Sequence, residues 1–211
     1  MKRETIERLQ RLFGNNFIGP DQINKLMSEM GLKPISDNEV PEVEYPMHEL
    51  KSRSGDYILV LGYCGTSELP LDIIRFRDTF GMTPDNKEPC LYNQDWYLCE
   101  DFVHKTLEFR WYLLKKEVFE ERRSVLPDAI LSSGEVHFPS AVLCIFTFFA
   151  YYFAFGEYLW YHDFVWCSDL DHNGDRIYVG KYHDVDGVNK NGFSIHRHLA
   201  LRPCYSAISV L

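Results

Sequence analysis

One uninterrupted apolar run, Ala141–Phe155 (AVLCIFTFFAYYFAF), constrains the fold of this chain more than any other segment. Apart from Thr147 and the tyrosine hydroxyls, it carries no polar side-chain group. As a helix it is about 22 Å long, at roughly 1.5 Å per residue. That length is short of the ~30 Å hydrocarbon core of a bilayer. The run therefore predicts a helix buried in a protein core, in preference to a membrane span.

The rest of the chain predicts an α+β protein with a helical hairpin in front of one main domain. Two amphipathic helices form the hairpin over residues 1–32, and an acidic, proline-containing connector covers residues 33–46. The main α+β domain then covers residues 47–211. Its predicted helices are PLDIIRFRDTF, the short charged segment Glu117–Arg123 and the apolar run; its predicted strands are YILVLGYC, LYNQDWYLC, FRWYLLKK, YHDFVWCS, RIYVGKYH and GFSIHRHLALRP. A core helix followed by a β-rich end favours α+β over a doubly wound sheet.

Charge and cysteine usage narrow the classes of partner and compartment. The net charge of −9 disfavours general electrostatic binding to nucleic acid or to an anionic membrane. None of the six cysteines forms a CxxC pair, so no zinc ribbon is indicated. The N-terminus lacks the apolar stretch of a signal peptide. We therefore expect a reduced, cytoplasmic protein without a membrane partner.

The most motif-like segment is an acidic loop in the last third of the chain. Oxygen ligands stand at alternate positions, with Gly174 in the sixth position, as in a calcium-binding loop. The candidate ligands are Asp169, Asp171, Asn173 and Asp175. Gly180 occupies the twelfth position, where an EF-hand has a bidentate glutamate. A polar hairpin turn between two strands is therefore favoured, and bound calcium is the alternative.

A His-Arg-His segment offers a second candidate metal site. His196 and His198 are spaced so that both imidazoles point to one face of a strand. Such a pair can hold a divalent transition metal, with His183, Asp184 or Asp186 as third ligand. Hydrogen-bonded structural histidines are the favoured interpretation. No cofactor is firmly implied.

A cluster of amides, an acid and aromatic rings in the middle of the chain predicts a ligand contact. The candidate ligand-binding residues are Asn93, Gln94, Asp95 and Trp96, together with Arg176 and Arg197 nearer the C-terminus. The favoured alternative for the middle segment is an edge strand whose aromatic face meets the core.

Short motifs over residues 137–205 give the chain a family resemblance. They are Phe138-Pro139-Ser140 with FFAYYFAFGEYLW, then Trp166-Cys167-Ser168-Asp169, RIYVG, Gly192-Phe193-Ser194-Ile195 and Arg202-Pro203. This third of the chain resembles the C-terminal part of the formylglycine-generating-enzyme and C-type-lectin-like superfamily. Six residues (HRHLAL) separate Ile195 from the Arg-Pro pair, which departs from the simplest family endings.

The resemblance implies a scaffold whose variable loops bind a ligand or a partner. It does not imply the family's oxidation chemistry, because no two cysteines here match the catalytic cysteine pair. We therefore expect a non-catalytic module that recognises a protein or a small-molecule ligand. The alternative is an enzyme: a metal-dependent, nuclease-like hydrolase that uses the Asp169–Asp175 loop with His196 and His198.

Overall fold

The computed structural model of the chain describes residues 1–83, 85–181, 192–197 and 201–211. Within these ranges, six α-helices and seven strands confirm the predicted α+β class. The helices are α1 (Arg3–Phe13), α2 (Pro20–Glu29), α3 (Met47–Arg53), α4 (Ile73–Phe80), α5 (Pro127–Leu131) and α6 (Ala141–Phe155). The strands are β1 (Phe17–Ile18), β2 (Tyr57–Leu61), β3 (Trp111–Lys115), β4 (Phe164–Leu170), β5 (Arg176–Lys181), β6 (Phe193–His196) and β7 (Tyr205–Ser206).

The strands form two separate sheets. In the first, β2 lies between β1, which is parallel to it, and β3, which is antiparallel. The second has the order β6-β5-β4-β7, in which β4 and β5 form an antiparallel hairpin and β7 runs parallel to β4. Each sheet mixes parallel and antiparallel pairs, so neither belongs to a doubly wound parallel fold.

The apolar run is helix α6, as predicted, and every residue in its first eleven positions is buried. The side chain of Ser140 accepts a hydrogen bond from the Leu143 N–H and so caps the start of the helix. Gly156 ends the helix in the left-handed conformation, with φ of 74°. None of the helices in the described ranges combines the length and apolar content needed to span a bilayer.

The N-terminal segment packs into the same hydrophobic cluster as the first sheet and α6. Helices α1 and α2 occupy the predicted positions, and β1 between them pairs with β2. Residues 33–46 contain neither a helix nor a strand. They are nevertheless anchored, because Ile35 and Val40 are buried and the indole N–H of Trp111 donates to the Pro41 carbonyl at 3.0 Å.

The predicted strand LYNQDWYLC is wrong, as residues 91–99 form turns in which Leu91 alone makes β-bridges, to Met82 and to Phe193. The aromatic alternation has another cause. The Trp96 and Tyr97 side chains turn inward. Backbone groups of Cys90 and Tyr92 pair with Phe193 of the neighbouring strand β6, and the Trp96 side chain then pairs with Ile195. The predicted helix Glu117–Arg123 is also shorter than expected, a single 3-10 turn at Glu120–Arg122.

The second sheet has two differently packed faces. Strand alternation places Val165, Cys167, Ile177, Val179 and Ile195 in the main hydrophobic cluster with α6. The opposite face carries an aromatic cluster of Phe164, Trp166, Tyr178 and Tyr205, which packs against α5 and the segment after it. Because both faces are covered, the polar groups of this sheet are presented at its edge and at its turns.

Candidate recognition site at the end of the second sheet

The acidic loop is the hairpin turn between β4 and β5. One carboxylate oxygen of Asp171, Oδ1, accepts hydrogen bonds from the backbone N–H groups of Asn173 and Asp175, each at 2.8 Å. The Asp171 N–H donates to the Asp175 carbonyl at 2.9 Å. Gly174, with φ of 86°, supplies the left-handed residue that the turn needs. The loop therefore forms a polar hairpin turn.

Gly180 explains why this loop cannot complete an EF-hand. It lies within β5, opposite Phe164, where a Cβ atom would come within 2.0 Å of the Asp163 carbonyl oxygen. A glutamate at this twelfth position has no space, so the loop lacks the bidentate ligand of such a site.

The second carboxylate oxygen of Asp171 belongs to a cluster of four charged or titratable side chains. Arg197 Nη1 lies 2.9 Å from Asp171 Oδ2 and 3.4 Å from Glu100 Oε1. His172 Nδ1 lies 2.6 Å from Glu100 Oε1, and the His172 backbone N–H donates to Glu100 Oε2 at 2.9 Å. The guanidinium thus joins two acids that are separated by about seventy positions in the sequence.

The two acids of these ion pairs are buried, so solvent screens their charges less than at the surface. Glu100 and Asp171 are 5% and 6% exposed, whereas the Arg197 side chain is 22% exposed and that of His172 is 65% exposed. Burial by itself raises the pKa of Asp171. The backbone N–H groups of Asp175 and Asn173 and the Arg197 guanidinium outweigh it, so the pKa lies below its ordinary value.

Trp96 and Gln94 extend this site along β6, the edge strand of the sheet. The Arg197 guanidinium lies 4.6 Å from the centroid of the Trp96 ring, as in a cation–π contact. The Trp96 indole N–H donates to the Ile195 carbonyl at 3.1 Å, and Gln94 Oε1 accepts from the Ile195 N–H at 3.3 Å. Two side chains therefore satisfy the backbone groups of Ile195, whereas those of Phe193 pair with the backbone of Cys90 and Tyr92.

We call the surface formed by Gln94, Trp96, His172 and Arg197 the recognition face. Three of its members, Gln94, Trp96 and Arg197, are residues that the sequence predicts as ligand contacts. Sequence reasoning missed His172 and the supporting acid Glu100. His172 lies inside the acidic loop, so its position there could have indicated a ligand contact. Nothing in the sequence around Glu100 indicates the role of that acid.

Of the other predicted ligand residues, Asp95 and Arg176 make their contacts outside this cluster. Asn93 is exposed, and Asp95 pairs with Arg77. Arg176 donates to the Cys167 carbonyl at 3.1 Å, and its guanidinium lies 5.6 Å from the centroid of the Phe138 ring. Arg176 thus packs on the opposite side of the hairpin, which makes it a poor candidate for the recognition face.

The predicted metal ligands that the structure describes do not converge as a set. Asp169 is buried and its oxygens contact the Ala141 N–H at 2.7 Å and Lys105 Nζ at 2.6 Å. Asn173 and Asp175 contribute backbone groups to the turn. His196 contacts the rings of Phe164 and Tyr178, in the aromatic cluster on the face of the second sheet opposite α6. His198 and its conceivable partners His183, Asp184 and Asp186 lie outside the described residues.

A different trio has metal-ligand spacing. Among the described residues, Glu100, Asp171 and His172 place one ligand atom each within 4.8 Å of the other two. Two of the three are acids that Arg197 already compensates. A cation bound here would therefore compete with the guanidinium for the same oxygens.

His196 illustrates why a histidine in a metal-like motif is more often structural. Its ring stacks on Tyr178, with centroids 5.4 Å apart, and its Nδ1 lies 3.2 Å from the Gln94 amide nitrogen. Burial, together with the nearby charge of Arg202, lowers the pKa of His196 to about 4. With Nδ1 accepting from the Gln94 amide, the ring is held in its neutral form.

This lowered pKa predicts that the free energy of unfolding decreases as the pH falls. The unfolded chain binds a proton near pH 6.5, whereas the folded chain resists it until about pH 4. The contribution of His196 is therefore complete above pH 6.5 and is lost as the pH falls toward 4, to a limit of about 3 kcal/mol. Urea unfolding between pH 7.5 and pH 4.5 should show this loss, and His196→Gln should reduce it. An unchanged pH profile in the variant would assign the loss to another group.

Comparisons with known proteins give this site no precedent. No protein-family model matches the chain, and searches of curated proteins and of solved structures found no match either. The function must therefore be argued from the geometry of the site.

Proposed function

We propose that this chain is a non-catalytic recognition module on a C-type-lectin-like scaffold, which binds a protein ligand through the recognition face. The observation that carries the proposal is the fixed position of Arg197 between the Trp96 ring and two buried carboxylates. Arginine and tryptophan are the residue types that contribute most to binding at protein interfaces. Holding them in place before binding lowers the entropy cost of association.

The charges around the face are consistent with recognition rather than catalysis. Glu100 and Asp171 are both compensated by Arg197, and Asp171 is held ionised. A general acid or base needs a group that is free to exchange a proton near neutral pH. The six free cysteines fit a reducing compartment, so we place this activity in the cytoplasm.

A displayed library of random peptides, selected on the purified chain, tests the proposal. We expect the selected peptides to bind His172→Ala about tenfold more weakly, which corresponds to about 1.4 kcal/mol. His172 is the most exposed charged or titratable member of the cluster, so its loss should leave the fold intact. His48→Ala on α3 is the matched control, since His48 is also exposed. Peptides that bind both variants equally well would show that recognition does not use this face.

The trio Glu100, Asp171 and His172 supports a second candidate, the metal-dependent hydrolase. Its test is the hydrolysis of bis(p-nitrophenyl) phosphate and p-nitrophenyl acetate with added Mn²⁺, Zn²⁺ or Ca²⁺. If the chain is a recognition module, we expect no hydrolysis rate that both depends on the added metal and is lost in the Glu100→Gln variant. A metal-dependent rate that this variant abolishes would replace the recognition proposal with the hydrolase.

A further inference from the structure

The imidazole of His172 is held at one ring nitrogen, and most of its side chain is open to solvent. Its Nδ1 lies 2.6 Å from Glu100 Oε1, and Glu100 is the hydrogen-bond partner of this ring within the described ranges. The His172 side chain is nevertheless 65% exposed, because it lies in the turn between β4 and β5. Its second nitrogen, Nε2, is therefore available to a ligand.

Glu100 decides which of the two ring nitrogens carries the proton. Its carboxylate accepts the His172 backbone N–H at 2.9 Å and also lies 3.4 Å from Arg197 Nη1. A carboxylate that faces a cation and an N–H donor is an acceptor, so Nδ1 is the donor in its contact with Glu100. In the neutral imidazole, a proton on Nδ1 leaves Nε2 as an acceptor. The recognition face thus presents a hydrogen-bond acceptor at His172, its one member of the exposed class.

The charges next to this acceptor leave an excess of negative charge. Glu100 and Asp171 share the single guanidinium of Arg197. Asp101 follows Glu100 directly and is exposed. The whole chain has a net charge of −9, so long-range electrostatic attraction also favours a cation over an anion.

We propose that the recognition face binds a basic peptide segment and that His172 is the residue that selects it; this inference rests on the proposed function and specifies the ligand of the same face. The ammonium group of a lysine or the guanidinium of an arginine donates to His172 Nε2, and the excess negative charge of the cluster attracts it. A ligand carboxylate finds no donor at Nε2 and is repelled by two acids that already share one cation. The face therefore discriminates by attraction and by repulsion.

Selection of displayed random peptides on the full chain at pH 8, where an imidazole is neutral, tests the inference. EDTA is present throughout, so that no metal ion bridges the acids of the cluster and a peptide. We expect the selected peptides to be enriched in lysine and arginine and depleted in aspartate and glutamate. Replacing the basic residues of a selected peptide with glutamate should weaken its binding at least about tenfold, as measured by fluorescence anisotropy.

His172→Asn removes the acceptor and keeps the contact with Glu100. The amide nitrogen of asparagine can take the place of Nδ1 as the donor, whereas nothing takes the place of Nε2. We expect this variant to bind the basic peptides about tenfold more weakly, with an unchanged thermal midpoint. His172→Gln, whose amide oxygen can reach the position of Nε2, should recover part of the affinity. His48→Asn, at an exposed position on α3, is the control for general attraction to an acidic chain.

The outcomes separate this inference from the proposed function. Selected peptides that lose affinity in His172→Ala but carry no basic residue would overturn the choice of ligand and leave the recognition role of the face intact. Basic peptides that bind His172→Asn as tightly as the natural chain would overturn the role of Nε2, and with it the inference. If no peptide is selected, or if the selected peptides bind His172→Ala without loss, the proposed function fails and this inference fails with it.

Discussion

Replacing Arg197 with methionine is expected to destabilise the folded chain by about 3–5 kcal/mol, because two buried carboxylates then lose their shared cation. Glu100 and Asp171 are 5% and 6% exposed, and in the described part of the chain they then keep His172 and backbone donors as partners. Methionine keeps much of the contact with Trp96, so the loss reports the charge rather than the packing. Chemical denaturation at pH 7 measures it. Arg3→Met is the control, since Arg3 pairs with acids at the exposed surface and its loss should cost far less.

The pH dependence of this variant distinguishes a charge effect from a packing effect. In the natural chain, the pKa of Asp171 is depressed, so its stabilisation is complete above the ordinary carboxyl pKa and is lost as the pH falls through the lower folded value. Without Arg197 the penalty should therefore be greatest at neutral pH and should shrink in acid. Asp171→Asn in the Arg197→Met background should restore part of the stability. A penalty that is constant with pH and insensitive to Asp171→Asn would indicate lost packing instead.

Asp169→Ala is expected to cost about 2–4 kcal/mol, because one buried carboxylate ties the start of α6 to β4. Its Oδ2 accepts the Ala141 N–H at 2.7 Å and its Oδ1 contacts Lys105 at 2.6 Å. A negative charge at a helix N-terminus is also favoured by the helix dipole. Asp169→Asn keeps an acceptor for the helix and should lose less. Equilibrium unfolding in urea gives each value.

Lys105→Met separates the two contacts of Asp169. The Lys105 side chain is 56% exposed, so its ion pair is weakened by solvent and should contribute about 1 kcal/mol or less. The helix contact should therefore account for most of the effect of Asp169→Ala. Equal losses in Lys105→Met and Asp169→Ala would show that the helix contact contributes nothing. The sequence pattern therefore suggests that Asp169 is a calcium ligand, whereas in the folded chain its carboxylate accepts the Ala141 N–H and caps the start of α6.

The elements that local chemistry dictates were predictable from the sequence. The apolar run from Ala141 to Phe155 has no charged residue, and its polar groups are Thr147 and two tyrosine hydroxyls, so it predicts a buried helix. Ser140 and Gly156 mark its ends. Strand β2 and the hairpin of β4 and β5 also follow from apolar or alternating residues bounded by turn formers. The Asp-Asn-Gly turn needs no distant residue, because Asp171 satisfies its own following N–H groups.

The recognition face could be predicted only in part. Trp96, Gln94 and Arg197 were candidates because of their chemistry, but nothing local shows that they meet at one edge of a sheet. Residues 91–99 have the alternation of a strand, yet backbone pairing with β6 stops at Tyr92 and residues 96–99 form a turn. Beyond that point the side chains of Gln94 and Trp96 pair with Ile195. Alternation reports which side chains are buried, and it does not report which backbone groups are paired.

The α+β class, the core helix and the acidic hairpin turn depend on neighbours within a few residues, so the amino-acid pattern was enough to predict them. The partners of the charged groups, in contrast, follow from the folded arrangement of distant segments. That arrangement sent Asp169 to the start of α6, joined Asp171 to Glu100 through Arg197, and held His196 neutral among aromatic rings. This is because a buried charge pairs with the counter-charge or donor that the fold brings nearest, whatever its separation in sequence.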